Sequence, residues 1–197
     1  MAFHNTALFV IDIQKELASD PKTEIPYASR IRDVGQQILS TVRGLNSPTE
    51  RKTPILIVFV QHEEKPEEGT LVRGSEAWKL VFEPREGVAE EILVAKHTRD
   101  TLESNPHLAE ELKGKGVEHI VTFGIQSECC VKSTSEGALK AGFKVTLLQG
   151  AHSTYDAGSK TAAEIEGEVE EGLRSNGAQL LDWKQCAELW EGTPAHV

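Results

Sequence analysis

Three cysteines in 197 residues, two of them adjacent at Cys129 and Cys130, are too few and too awkwardly spaced to staple a fold. A disulfide framework is excluded, and a reducing, cytoplasmic setting is expected. Basic charge is also short: 21 Lys+Arg against 31 Asp+Glu leave a formal charge of -10. Such a surface repels a phosphate backbone, so no nucleic acid partner is expected. No apolar run approaches the roughly 20 residues that cross a bilayer. Met1 to Asn5 has neither the basic start nor the apolar body of a secretory signal. These absences predict a soluble protein with no membrane partner. No internal repeat, low-complexity tract or linker interrupts the chain, so residues 1–197 read as one domain.

What the sequence does contain is an alternation of apolar runs and amphipathic stretches. Thr6-Ala-Leu-Phe-Val-Ile-Asp12 is short, nearly continuous and rich in strand-favouring residues, as in a strand buried on both faces of a parallel sheet. The pattern returns at Pro54–Val60, Glu91–Ala95, His119–Phe123 and Phe143–Leu148, with a weaker run at Ala178–Leu181. Helical periodicity lies between them at Tyr27–Leu45, Pro106–Leu112, Glu128–Ala141 and Thr161–Ser175. Alternating strands and helices predict an α/β fold, a Rossmann-like three-layer α/β/α arrangement around a mostly parallel sheet of about six strands. Ser19–Pro26 and Glu63–Arg73 are rich in charge, Pro and Gly, and read as surface loops. In open α/β sheets the ligand crevice lies beyond the carboxyl ends of the strands, where such loops can cover it, and pocket selectivity is expected to rest on Ser19–Pro26, Glu63–Trp78 and Gly150–Ser159.

Three chemically suggestive residues fall at or just past those ends: Asp12, Lys96 and, after the Gly124 turn, Cys130. A thiol, a carboxylate to take its proton and an ammonium beside them form the inventory of a nucleophilic hydrolase. Cys130 also stands near the start of the helix that follows Phe123-Gly124-Ile-Gln-Ser127. Helix-start N–H groups favour negative charge, so a depressed thiol pKa and an oxyanion hole in the same turn are expected there. Taken singly, each residue has a bland alternative: a packed cysteine, a solvated lysine, a capping acid.

Ala7-Leu-Phe-Val-Ile-Asp12-Ile-Gln14, Val94-Ala-Lys96-His-Thr-Arg-Asp-Thr101 and Gly124-Ile-Gln-Ser-Glu-Cys-Cys130-Val131-Lys-Ser-Thr134, continued by Ala138-Leu-Lys-Ala-Gly142-Phe-Lys-Val145, resemble the segments that mark the isochorismatase-like cysteine hydrolases. The resemblance covers nearly the whole chain. It implies a catalytic triad of Asp12, Lys96 and Cys130, with Cys130 rather than Cys129 in the nucleophile position. It further implies a non-proline cis peptide at Ile125–Gln126, an oxyanion hole from the Gln126 and Cys130 N–H groups, a small amide or ureide substrate, and a homo-oligomer, dimer or tetramer. By the same resemblance Gln14, Trp78 and Ile125 are candidates for the substrate pocket.

The sequence departs from the nicotinamidase branch of that family, which carries an Asp-x-His segment and a further histidine as metal ligands. Here the region reads Val60-Gln61-His62-Glu63-Glu64, so no metal and no cofactor are expected, and His62 reads as solvated or pocket-lining. His4, His97, His107, His119, His152 and His196 show no ligand spacing and read as surface residues. Two competing readings stay open: a redox-active thiol protein built on Cys129, Cys130 and Cys186, and a catalytically silent small-molecule-binding domain of the same fold.

Overall fold

A computed structural model of the chain describes residues 5–46, 54–186 and 190. In chain order the elements are β1 (Thr6–Ile11), α1 (Lys15–Ala18), α2 (Ala28–Leu45), β2 (Leu56–His62), β3 (Glu91–Lys96), α3 (Thr101–Ser104), α4 (Leu108–Gly114) and β4 (His119–Ile125). A π-helical turn at Ser127–Val131 follows, then α5 (Lys132–Lys140), β5 (Lys144–Ser153), α6 (Ala162–Ser175) and β6 (Gln179–Asp182). All six strands run parallel in the order β3-β2-β1-β4-β5-β6. The order reverses between β1 and β4, which makes the gap beyond their carboxyl ends a topological switch point.

The period of two along β1 divides the core. Leu8 and Val10 face one apolar cluster with Ile31, Ile38 and Val42 of α2, while Ala7, Phe9 and Ile11 face another with Leu112 of α4 and Val169 and Leu173 of α6. Every residue of β1 is buried, which is why its sequence is continuously apolar rather than alternating. The three layers follow: α1 and α2 cover one face, and α3 to α6 cover the other. Among the described residues, no helix is long and apolar enough to cross a membrane. The predicted helix ends hold where local chemistry fixes them. Thr161 accepts from the Glu164 N–H at 3.3 Å while Glu164 accepts from the Thr161 N–H at 2.8 Å, a reciprocal cap that starts α6.

Three segments differ from the sequence reading. The Glu128–Ala141 helix is split, because its first turn is π-helical: the Gln126 carbonyl accepts from the Val131 N–H at 3.1 Å, five residues on. β5 runs to Ser153 rather than ending at Leu148. The register against β4 jumps from Thr122↔Leu147 to Gly124↔His152, so a bulge containing Gly150 at φ 75° precedes three more strand residues. Residues 150–153, expected in a pocket-lining loop, are therefore in the sheet. Short helices α1 and α3 lie in stretches too brief to show periodicity. His4, His196 and all of the acidic 188–197 tail except Trp190 lie outside the described residues.

Candidate active site

The site forms where β1, β3 and β4 end. Asp12 leaves β1 with φ 47°, a left-handed conformation that costs a non-glycine residue roughly 1–3 kcal/mol and gathers at functional sites. Its N–H donates to the Val60 carbonyl at 3.1 Å, which pins the turn against β2. Gly124 of β4 passes so close to that turn that an added Cβ would stand 2.1 Å from the Ile11 carbonyl oxygen. Only glycine permits the approach, and the next peptide, Ile125–Gln126, is cis.

Lys96, the last residue of β3, is fully buried, and four groups crowd its Nζ. Asp12 Oδ2 lies at 2.8 Å, Cys130 Sγ at 3.2 Å, His62 Nδ1 at 3.1 Å and the Thr98 carbonyl at 3.1 Å. An ammonium only donates, so His62 Nδ1 accepts and the ring proton sits on Nε2. The Asp12 contact is an ion pair rather than an aligned hydrogen bond, so the carboxylate keeps open lone pairs. Sequence reading named Asp12, Lys96 and Cys130 from their strand ends, and the structure brings all three within one lysine's reach.

Burial opposes charge on Lys96, but the Asp12 carboxylate and then Cys130 overcome it and hold the ammonium above its ordinary pKa. Burial, followed by Lys96, holds His62 below its ordinary value. The thiol corrects the expectation of a depressed pKa. Burial and then the Asp12 charge push Cys130 up, and Lys96 does not offset them. Burial thus favours the protonated thiol beside the Asp12–Lys96 ion pair.

A cavity of about 430 Å³ opens onto this group. Asp12, His62, Ile125, Gln126 and Cys130 line its inner part, while Leu71, Arg99 and Tyr155 stand among its other walls. Ile125 is thus in the pocket lining. Gln14 and Trp78 are not. Gln14 is buried and donates its amide to the His62 carbonyl at 3.0 Å and the Trp78 carbonyl at 2.8 Å, while its Oε1 accepts from the His62 N–H at 3.0 Å. It laces the end of β2 to residue 78 from behind the cavity. Of the predicted loops, the one beginning at Glu63 contributes Glu64 and Gly69–Leu71 to the lining. Ser19–Pro26 contributes none, but its Thr23 carbonyl accepts from the Tyr155 hydroxyl. Tyr155 falls within the predicted Gly150–Ser159 loop, whereas sequence reading missed Arg99, which no spacing signal marks.

The donor set beside His62 does not fit the metal centre of the nicotinamidase branch. Val60, two residues before His62, stands where that segment has its carboxylate, and the intervening Gln61 donates to the Trp78 carbonyl at 2.9 Å. Glu63 pairs with Arg73 at 3.0 Å, Glu64 accepts from the Leu71 N–H at 2.9 Å, and His62 spends Nδ1 on Lys96. Among the described residues no three His, Cys, Asp or Glu side chains converge as a metal site. The other histidines also divide. His97 and His107 are exposed, whereas His119 and His152, expected at the surface, are buried, His119 bonded to Thr146 of β5 and His152 to Ser127 of the π-helical turn.

The sequence profile described as the isochorismatase domain matches residues 6–184. The chain therefore belongs to the isochorismatase family, and hydrolase is the enzyme class that this family and its named relatives define. A streptothricin hydrolase of Streptomyces noursei is 28% identical over 174 residues, 88% of this chain. The chain spans only 58% of that relative's length. An isochorismatase-like hydrolase from Alkaliphilus metalliredigens superposes with a TM-score of 0.77 at 24% identity, over 94% of this chain and 96% of the other. A pyrazinamidase of Pyrococcus horikoshii, solved in complex with zinc, superposes with a TM-score of 0.71 at 22% identity, over 91% of this chain and 99% of the other. The last two likenesses show the shared three-layer fold.

Proposed function

We propose that the chain is a cysteine hydrolase that cleaves a C–N bond of a small amide or ureide through a thioester on Cys130. The observation that carries this reading is the single lysine that touches both Asp12 and Cys130 at the floor of a cavity sized for a small molecule. Because the resting thiol is protonated, the proton must leave as sulfur attacks. Asp12, whose carboxylate oxygens are unpartnered and which shares Lys96 with the thiol, would take it. Lys96 pairs with Asp12 and offsets the charge that develops on sulfur. The carbonyl oxygen, turning into an oxyanion, would be received by the Gln126 and Cys130 N–H groups. Asp12 then returns the proton to the leaving amine, and water releases the acid from the thioester.

The redox reading has less support. Sensor thiols are exposed and acidic, whereas burial raises the pKa of both Cys130 and Cys129. The deciding experiment is ammonia release from a panel of small primary amides and ureides, wild type beside Cys130→Ala, with chelator in half the wells. Release that needs Cys130 and ignores chelator is expected. Release that persists in Cys130→Ala, or that chelator abolishes, would overturn the mechanism.

A further inference from the structure

A second polar network stands behind the nucleophile turn. Ser127, the first residue of that turn, is fully buried, and its hydroxyl lies 2.8 Å from His152 Nδ1. His152 is also fully buried, and its Nε2 lies 3.3 Å from Glu170 Oε1 on α6. Gln149 donates to the other Glu170 oxygen at 2.7 Å. The His152 carbonyl accepts from Arg30 at 3.2 Å, and Arg30 pairs with Glu166, which also accepts from the Ser153 hydroxyl at 2.5 Å. Helices α2 and α6 thus clamp the end of β5, and His152 carries that clamp to Ser127.

Serine, histidine and glutamate in this order look like a hydrolase triad, but none of the three lines the cavity. The hydroxyl has no route to substrate. Its place in the chain indicates another role. Ser127 sits between Gln126 and Cys130, the two residues whose N–H groups face a substrate oxygen in the proposed reaction. It begins a π-helical turn in which the Gln126 carbonyl accepts from both Cys129, at 3.2 Å, and Val131, at 3.1 Å. The β5 bulge is what brings His152 alongside Gly124 and Ser153 alongside Ile125. Buried polar trios are rarely the most stabilising way to fill space, but they hold one geometry against others.

We propose that His152 and Glu170 are positioning residues: through the Ser127 hydroxyl they hold the Gln126–Cys130 backbone, and with it the thiol and the oxyanion-binding N–H groups, in the arrangement acyl transfer requires. The proposal rests on the reading of Cys130 as nucleophile and deepens it. It is the turn, not the pocket, that the network serves.

The test compares Ser127→Ala, His152→Ala and the double variant with Ser135→Ala. Ser135 shares a buried hydroxyl pair with Thr122 at 3.0 Å on the neighbouring elements, away from the turn. The first readout needs no substrate: the folded proteins are treated with iodoacetamide, and peptide mass spectrometry gives the ratio of labelling at Cys130 to labelling at Cys129. Ser127→Ala is expected to lower that ratio about fivefold or more, and Ser135→Ala to leave it within about twofold. An unchanged ratio in Ser127→Ala would overturn the proposal and leave the trio as packing. With any amide that wild type hydrolyses, kcat is expected to fall about tenfold with KM within about twofold, and the double variant to be no worse than the worse single variant. Additive losses, or a loss confined to KM, would also overturn it. Should His152→Ala not fold, Glu170→Gln, which keeps an oxygen for the imidazole N–H, is expected to retain the wild-type ratio where Glu170→Ala does not. Turnover surviving in Cys130→Ala would instead defeat the nucleophile assignment, with the labelling ratio still deciding the network.

Discussion

Strand β3 carries a fully buried charge at each end, and the two are treated in opposite ways. At its start, Glu91 accepts from Arg43 Nε at 3.0 Å, Arg43 Nη2 at 2.8 Å, Arg85 Nε at 2.6 Å and the Arg85 N–H at 2.8 Å. Both carboxylate oxygens are saturated. Burial opposes the charge, but the two guanidinium groups overcome it and hold the Glu91 pKa low. At the other end Lys96 spends its donors on Cys130, His62 and the Thr98 carbonyl, while the carboxylate paired with it, Asp12, keeps open lone pairs at the wall of a cavity. A saturated buried ion has nothing left to give and acts as structure. An unsaturated one beside a cavity is poised for proton movement.

The sharpest way to break that comparison is to remove the chemistry at each end in turn. Cys130→Ala or Asp12→Asn is expected to lower kcat about 10³-fold or more, measured as ammonia release, because neither attack nor proton transfer has a substitute. Lys96→Met should do the same. It should also cost roughly 3–5 kcal/mol of stability in a denaturant titration, since it leaves Asp12 buried and uncompensated. Glu91→Gln should cost about 3 kcal/mol, yet leave kcat within about twofold. If Glu91→Gln damaged turnover as Lys96→Met does, the distinction between the two ends of β3 would fail.

A second contrast concerns pH and the amino-terminal end of the sheet. His119 is buried where β4 begins and bonded through Nε2 to the Thr146 hydroxyl at 2.8 Å, and burial lowers its pKa to about 4. The folded pKa lies below the unfolded value of about 6.5. Its contribution is therefore complete above that unfolded value and is lost as pH falls toward 4. Between pH 7 and pH 5 this one group should withdraw about 2 kcal/mol of stability. His119→Gln should flatten that part of the stability profile in urea titrations at stepped pH. Turnover should be unaffected by the substitution, since His119 lies at the opposite end of the strand from Gly124.

How far the sequence foretold this depended on whether a signal was local. The strands were legible because burial on both faces leaves an apolar run, and Asp12 and Lys96 stood out as charges interrupting such runs. Cys130 was legible for its place after a glycine turn. The direction of its thiol pKa was not, because helix-start N–H groups can be inferred from sequence while burial and the distance to Asp12 cannot. His152 was misplaced for a related reason: the bulge that carries it into the sheet depends on how β5 pairs with β4, not on the composition of Leu147–Ser153. Arg99 lines the cavity through loop geometry, which leaves no periodic trace.

Cys129 supplies the smallest and most discriminating contrast with its neighbour. Both thiols line the same cavity, and burial raises both pKa values. Only Cys130 reaches Lys96 through a hydrogen bond, while Cys129 feels Lys96 and Arg99 as more remote charges. If proximity to the cavity were enough, the two would be interchangeable. If contact with the lysine–aspartate pair is required, Cys129→Ala should leave kcat within about twofold and stability within about 1 kcal/mol, the loss of one half-buried sulfur. Side-by-side turnover of Cys129→Ala and Cys130→Ala measures the difference directly. Equal losses would show that the pair works as a vicinal dithiol, and the redox reading would then regain the ground it loses here.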